Sequence, residues 1–222
     1  VLTLAQSSET LIVADNISKF YAINVKDGSL LWSNYNSSPF NSQIKIYNDK
    51  LFVIDLNNVL RCISIKDGKE FWNVKADDTF IKSQKKLSII IIDSILYFNN
   101  STGDITAVDI NTGSMLWQRP TQNNTTYEDA FLLKNSNIVA NNEMIIFSNN
   151  RNEFYSIDLK TGSLRWKQNI NSSVQPTIIN NLIFTVTKEG FLIILDSKNG
   201  NILRITDLFG QSNKTKSKKN PI

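Results

Sequence analysis

Five segments of this chain carry a short polar side chain four residues before a glycine, and three of these side chains are aspartates. The polar residues are Asn24, Ser64, Asp109, Asp158 and Asp196, and the glycines are Gly28, Gly68, Gly113, Gly162 and Gly200. A carboxylate at fixed spacing could serve general acid–base catalysis. A catalytic group is not expected in every copy of a repeat, however, whereas every tight turn needs a hydrogen-bond acceptor. We therefore predict that these side chains accept hydrogen bonds from the backbone amides of their own turns.

The glycines recur at intervals of 40, 45, 49 and 38 residues. A period of this length is typical of one supersecondary unit that is stacked repeatedly. Turn-forming tripeptides such as Lys26-Asp27-Gly28 and Asn111-Thr112-Gly113 end in the glycine. We expect each glycine to adopt a positive φ at the end of a hairpin loop, with a bulge in the strand that follows.

A tryptophan follows four residues after each of the first four glycines. These residues, Trp32, Trp72, Trp117 and Trp166, are all the tryptophans of the chain, and a small residue (Ala22, Cys62, Ala107 or Ser156) precedes each glycine by six positions. A large tryptophan ring that recurs together with a small residue suggests that the ring of one unit packs over the next unit. The fifth copy departs from this rule, because Ile194 and Arg204 stand at these two positions. Terminal repeats commonly differ in this way.

Short apolar stretches separated by Asn and Asp pairs precede each glycine segment and predict two further strands per repeat. Four antiparallel strands every 40-odd residues predict an all-β fold, a β-propeller of four-stranded antiparallel blades. The predicted single array spans residues 1–209, with blades at approximately 1–36, 43–75, 86–120, 136–169 and 174–208. A basic polar tail or linker follows at 210–222.

Two side-chain types that commonly carry out chemistry are scarce. The chain contains no histidine, which is the commonest general base and metal ligand. Cys62 is its single cysteine, so no disulfide can form within these residues. Because Cys62 occupies the small position of its repeat, packing explains it better than reactivity.

The segment AVDINTGSMLW, residues 107–117, resembles the tryptophan-docking repeat of the pyrroloquinoline-quinone (PQQ) dehydrogenase-like propellers. Residues 156–166 are nearly as similar, and the resemblance covers five successive repeats. The family includes quinoprotein alcohol dehydrogenases and the outer-membrane assembly lipoprotein BamB. Its eight-bladed members imply that these five blades are part of a longer ring. The absence of an initial methionine and of a signal-peptide pattern agrees with that expectation.

Resemblance to the quinoprotein dehydrogenases would imply an adjacent cysteine pair beside the cofactor and acidic or amide ligands for calcium. The chain has no adjacent cysteines, and the acidic pairs 77–78 and 128–129 have no partner at ligand spacing. We therefore predict no cofactor, no metal site and no catalytic residue within residues 1–222. A PQQ-dependent dehydrogenase whose cofactor residues lie outside this segment is the enzymatic alternative.

The net charge of +4 comes from the tail. Four lysines lie in 211–222 without an acid, and the rest of the chain has 20 basic and 20 acidic residues. A neutral propeller does not favour binding to nucleic acid.

The resemblance, combined with the missing redox residues, predicts a non-enzymatic BamB-like scaffold. Such a protein would be periplasmic, held at the outer membrane of a Gram-negative bacterium by a lipid anchor outside this chain, and would bind a membrane β-barrel assembly protein. Long loops on a rigid scaffold often carry recognition. The loop at 118–135 contains the candidate partner-binding residues Arg119, Tyr127, Glu128 and Asp129. A sensor or ligand-binding propeller domain is a third possibility.

Overall fold

The architecture is all-β. The computed structural model describes residues 3–15, 17–76, 82–83, 85–121, 136–149 and 152–210, and the elements within these ranges are twenty β-strands. They form five four-stranded sheets in which successive strands are hydrogen-bonded neighbours, and every pairing within a sheet is antiparallel. The predicted propeller blades of four antiparallel strands are thereby confirmed.

The first three blades belong to one compact unit, residues 1–133. Blade 1 contains β1 (Thr3–Ser7), β2 (Thr10–Ala14), β3 (Lys19–Asn24) and β4 (Leu30–Tyr35); blade 2 contains β5 (Lys45–Tyr47), β6 (Lys50–Ile54), β7 (Val59–Ser64) and β8 (Glu70–Lys75); blade 3 contains β9 (Ile89–Ile92), β10 (Ile95–Asn99), β11 (Ile105–Asp109) and β12 (Met115–Arg119).

The last two blades belong to a second compact unit, residues 134–222. Blade 4 contains β13 (Val139–Ala140), β14 (Met144–Ser148), β15 (Glu153–Asp158) and β16 (Leu164–Asn169); blade 5 contains β17 (Thr177–Ile179), β18 (Leu182–Val186), β19 (Phe191–Asp196) and β20 (Ile202–Asp207). That all five blades form one array, with the boundaries given above, stays a prediction.

Apolar side chains fill the spaces between neighbouring blades within each unit. Ile12 and Phe20 of blade 1 pack with Leu51 and Val53 of blade 2. The opposite face of blade 2 packs against blade 3, and the cores of blades 4 and 5 meet through Phe154, Trp166, Ile183 and Leu195, among others. Strand alternation produces this arrangement, because each central strand presents one set of side chains to each face.

Every repeat glycine ends the hairpin loop between the third and fourth strands of its blade. The five glycines have φ between 69° and 75°, a conformation that costs an L-residue energy but suits glycine. Just beyond each loop, the pairing register shifts by one residue. In blade 1 the shift lies between Ala22 and Ile23, so Leu31 on β4 has no cross-strand partner. The loop and the bulge are those that the sequence predicts.

Side chains four residues before the glycines cap four of these loops, and in the loop of blade 2 Ser64 instead forms a side-chain hydrogen bond with Asp67. Asp109 Oδ1 accepts hydrogen bonds from the backbone amides of Asn111 and Thr112, both at 2.9 Å. Asp158 Oδ1 accepts hydrogen bonds from the backbone amides of Lys160 at 3.1 Å and Thr161 at 3.0 Å. Asn24 and Asp196 accept amides in the same way. These hydrogen bonds stabilise the charged carboxylate, so the pKa values of Asp109 and Asp158 lie below the ordinary value of 3.8.

The capping carboxylates predict a specific loss of stability in acid. A carboxyl whose pKa is lower in the folded state than its ordinary value of 3.8 stabilises the fold while it is ionised. This stabilisation is present above pH 3.8 and is lost as the pH falls through the pKa of the folded state. Asp109→Asn and Asp158→Asn keep an acceptor oxygen, as Asn24 does in blade 1, but cannot be protonated. We expect urea unfolding to show a smaller stability loss below about pH 4 in the double variant than in the wild type. Equal losses in both proteins would contradict the capping role.

Candidate functional site

The tryptophans lie at the contacts between blades. The Trp32 ring of blade 1 covers Gly68 of blade 2, the Trp72 ring covers Gly113 of blade 3, and in the second unit the Trp166 ring covers Gly200 of blade 5. A β-carbon built on these glycines would lie 2.7, 2.8 and 2.5 Å from the nearest ring atom. Each glycine therefore has two functions, since it adopts a positive φ and also leaves space for an indole from the preceding blade.

The small residues have a different position from the one expected. Ala22, Cys62, Ala107 and Ser156 lie directly opposite the tryptophans across the third and fourth strands of the same blade. The small position is thus a cross-strand neighbour within the blade, and the surface that receives the ring in the next blade is the glycine loop. The ring also contacts an aromatic side chain of its own blade, as in the edge-on pair of Trp32 and Phe20 with centroids 5.6 Å apart.

Hydrogen bonds fix two of these contacts. Trp32 Nε1 donates to the Ile65 carbonyl at 2.8 Å, and Trp166 Nε1 donates to the Ser197 carbonyl at 2.9 Å. Both carbonyls belong to the residue three positions before the covered glycine. Trp72 differs: its Nε1 is buried and has no hydrogen-bond partner among the described residues. Near its contact with blade 3, the Lys50 ammonium lies 3.1 Å from Asn111 Oδ1 and 3.5 Å from the Ile110 carbonyl.

A second donor was not predicted from the sequence. Asn34 Nδ2 donates to the Gly68 carbonyl at 3.0 Å, and Gln168 Nε2 donates to the Gly200 carbonyl at 2.9 Å. Each amide stands two residues after its tryptophan, on the same face of the strand. Val74 occupies this position after Trp72 and cannot donate. In the sequence, only two of the four repeats with a tryptophan carry an amide side chain two residues after it, so the pattern is weak.

The two ends of the repeat series differ from the interior. Gly28 has the same backbone conformation as Gly68, with a φ of 73°, but a β-carbon there would have no atom of the described residues within 4 Å. In blade 5, Arg204 pairs with Ile194 where the other blades pair a tryptophan with a small residue. The remaining tryptophan, Trp117, contacts the Tyr97 ring of its own blade, with the ring centroids 5.8 Å apart. The remaining repeat glycine, Gly162, has the same positive φ as the others, 69°.

A second set of polar caps lies in the turns between the second and third strands. Asp15, Asp55, Asn100, Asn149 and Thr187 each accept an amide of their own turn, and each stands thirteen residues before the repeat glycine. Asp55 is fully buried and holds the Arg61 guanidinium at 3.2 Å, and Arg61 also contacts Glu70 at 2.6 Å. The constant offset of thirteen is a sequence signal that could have identified these residues.

The candidate partner-binding loop is only partly described. Arg119 is the last residue of β12 and pairs with Ile105, so the expectation that it belongs to a loop was wrong. The strand continues to Arg119 because its pairing with β11 persists to the start of that strand. Tyr127, Glu128 and Asp129 lie outside the described residues.

The described residues do not fit a PQQ site of the kind that the resemblance implies. Cys62 is fully buried against blade 3, and burial raises the pKa of its thiol to about 12. Among the residues with described positions, no three His, Cys, Asp or Glu side chains are grouped as metal ligands. The same part of the chain has no helix long and apolar enough to span a membrane.

Comparison with known proteins identifies the family. The family profile described as outer membrane protein assembly factor BamB matches residues 3–206. The chain belongs to the BamB family. A comparison with curated protein sequences finds no match.

Solved structures of the same fold include BamB and alcohol-oxidising dehydrogenases. BamB from Moraxella catarrhalis is 16% identical with a TM-score of 0.78, and the alignment covers 93% of this chain and 63% of that protein. A europium-containing methanol dehydrogenase is 13% identical with a TM-score of 0.70, covering 94% of this chain and 52% of the enzyme. A quinohemoprotein alcohol dehydrogenase from Pseudomonas putida HK5 is 13% identical with a TM-score of 0.67, and the alignment covers 92% of this chain and 41% of that enzyme. The chain thus spans less than two thirds of each relative, and these likenesses concern the fold.

Gly68 and Gly28 form a matched pair for testing the docking contact. Both have a φ near 72°, so alanine would introduce similar backbone strain at each, about 1–2 kcal/mol. At Gly68 the new methyl would also displace Trp32 and Asn34, which we expect to cost about 1–3 kcal/mol more. Urea unfolding of Gly68→Ala and Gly28→Ala, each in a protein of residues 1–222, measures the difference. Equal destabilisation would show that the ring contact contributes nothing.

Proposed function

We propose that this protein is a non-enzymatic scaffold that binds a protein partner during assembly of outer-membrane β-barrel proteins. The observation that carries the proposal is the match of residues 3–206 to the BamB family. The polar groups of the repeat support a scaffold role, because the aspartates that could act as acids or bases already accept the amides of their own turns.

Exposed apolar residues on the outermost strands support protein binding. Leu31, Phe71 and Leu116 are each the bulged residue immediately before a tryptophan, and their side chains are 50–53% exposed. Their blades belong to one unit. An apolar side chain repeated at an equivalent exposed position favours association with another protein. The loop containing Tyr127, Glu128 and Asp129 is the second contact that we propose.

Family membership also supports a location for the protein. We propose that it acts in the periplasm, at the outer membrane, and that a lipid anchor outside residues 1–222 holds it there. The partner would be the barrel-forming or barrel-inserting component of the assembly machinery.

Capture of that partner tests the proposal. Full-length protein purified in gentle detergent should retain the barrel-assembly component, identified by mass spectrometry. Replacing Leu31, Phe71 and Leu116 together by serine should weaken its binding by about tenfold or more, equivalent to about 1.4 kcal/mol. Exposed lysines at the hairpin loops provide the control, so Lys26→Ser with Lys69→Ser should leave binding unchanged. Failure to retain the component in the wild type would overturn the proposed function.

A PQQ-dependent dehydrogenase is the second candidate, and the similarity to methanol dehydrogenase favours it. Cofactor residues would then lie outside the described ranges. Titration of the full-length protein with PQQ and calcium, followed by dye reduction with simple alcohols, distinguishes the candidates. The scaffold proposal predicts no alcohol-dependent reduction, and clear turnover would contradict it.

A further inference from the structure

A groove of about 530 Å³ lies between blades 4 and 5, in the second unit. Its lining includes the apolar residues Phe191 and Ile193 and the polar residues Asn152, Asn171, Thr187 and Glu189. We call this space the 4–5 groove. Its volume is within the usual range for ligand sites, which combine an apolar lining with a few polar groups.

Blades 1 and 2 show what occupies the equivalent position elsewhere in the chain. Arg61 stands seven residues before Gly68, as Ile193 stands seven before Gly200. The Arg61 guanidinium donates to Asp55 of its own blade at 3.2 Å and to Ser37, after blade 1, at 3.4 Å. Its side chain is only 15% exposed. The contact between blades 1 and 2 therefore accommodates an arginine side chain at this position, where blades 1, 3 and 4 carry Tyr21, Thr106 and Tyr155.

The 4–5 groove keeps the matching polar positions but lacks the arginine. Asn171 stands five residues after Trp166, as Ser37 does after Trp32, and Thr187 is the counterpart of Asp55. Because Thr187 has no carboxylate, the negative charge beside the groove comes from Glu189, whose Oε1 accepts a hydrogen bond from Asn171 Nδ2 at 2.5 Å. Ile193 replaces the arginine and leaves the space open. The groove thus has polar groups at the positions that surround Arg61 between blades 1 and 2, but no arginine.

Charges around the groove favour a cation. Within the described part of the chain, Glu189 forms no salt bridge, and neither does Asp207, which lies opposite Phe191 across β19 and β20. Glu153, next to Asn152, is already paired with Lys167 at 2.9 Å. Among the described residues, Lys188 is adjacent to Glu189 in the chain and is exposed. Phe191, 38% exposed, offers a ring face on which a guanidinium can stack.

We propose that the 4–5 groove binds an arginine side chain of a partner protein, with Glu189 as its counter-charge and Phe191 and Ile193 beneath its planar face. Arginine is favoured over lysine because its flat guanidinium stacks on apolar surfaces and donates in several directions at once. The groove exceeds the size of one side chain, so flanking apolar residues of the partner would enter with it. This inference names one contact of the proposed scaffold and rests on that role for its biological meaning.

Peptide binding to the full-length protein tests the site directly. The probe is the capped tripeptide Val-Arg-Val, titrated while the isoleucine methyl signals are followed by NMR. We expect saturable shifts in Ile170, Ile193 and Ile205, which line the groove. Glu189→Gln should weaken binding about tenfold, and the peptide with citrulline in place of arginine should bind about as weakly. The lysine peptide should bind less tightly than the arginine peptide.

Two controls separate this site from general charge effects and from misfolding. Glu9→Gln removes an exposed carboxylate in the first unit and should leave the affinity unchanged. Ile193→Arg should fill the groove as Arg61 does and abolish peptide binding, with circular dichroism showing whether it folds. Absence of shifts in the groove, or equal affinity of wild type and Glu189→Gln, overturns the inference. That result would leave the capture experiment unaffected, so the two proposals fail separately.

Discussion

The packing of a tryptophan ring on the glycine loop of the next blade is the interaction on which each unit depends. A four-stranded sheet has two faces to cover, and the blades cover them by stacking. Burial of one indole, at about 25 cal/mol per Å² over about 150–250 Å², contributes several kcal/mol. The ring also fixes the separation of the two blades, because it occupies the space that a β-carbon would need at Gly68, Gly113 or Gly200.

This constraint explains the hydrogen bonding of the most conspicuous motif. The docking surface must be a rigid loop, and rigidity requires that its free amides are satisfied. Asp109 and Asp158 supply those acceptors, and the same hydrogen bonds lower the pKa of both carboxyls, so they stay ionised in more acidic solution than a free aspartate does. We therefore propose that partner binding uses side chains that the docking does not use. These include the bulged apolar residues, such as Phe71, and the groove beside Glu189.

The sequence predicts those features that arise within a single repeat. The hairpin glycines, the capping aspartates and the four-stranded sheets all follow from neighbours a few residues apart. The sequence alone did not show that Gly68 receives Trp32, because these residues are separated by 36 positions and belong to different blades. The same separation concealed Asn34, whose donor reaches Gly68. Arg119 was assigned to a loop because the length of β12 depends on pairing and not on its own residue type.

A double-mutant cycle on Trp166 and Gly200 tests the central claim most directly. Gly200→Ala introduces both backbone strain and a clash with the ring, whereas only the strain remains once Trp166→Ala has removed the indole. If the ring contact joins blades 4 and 5, unfolding free energies of the two single variants and the double variant should give a coupling energy of about 1 kcal/mol or more. Additive effects of the two substitutions would contradict the account.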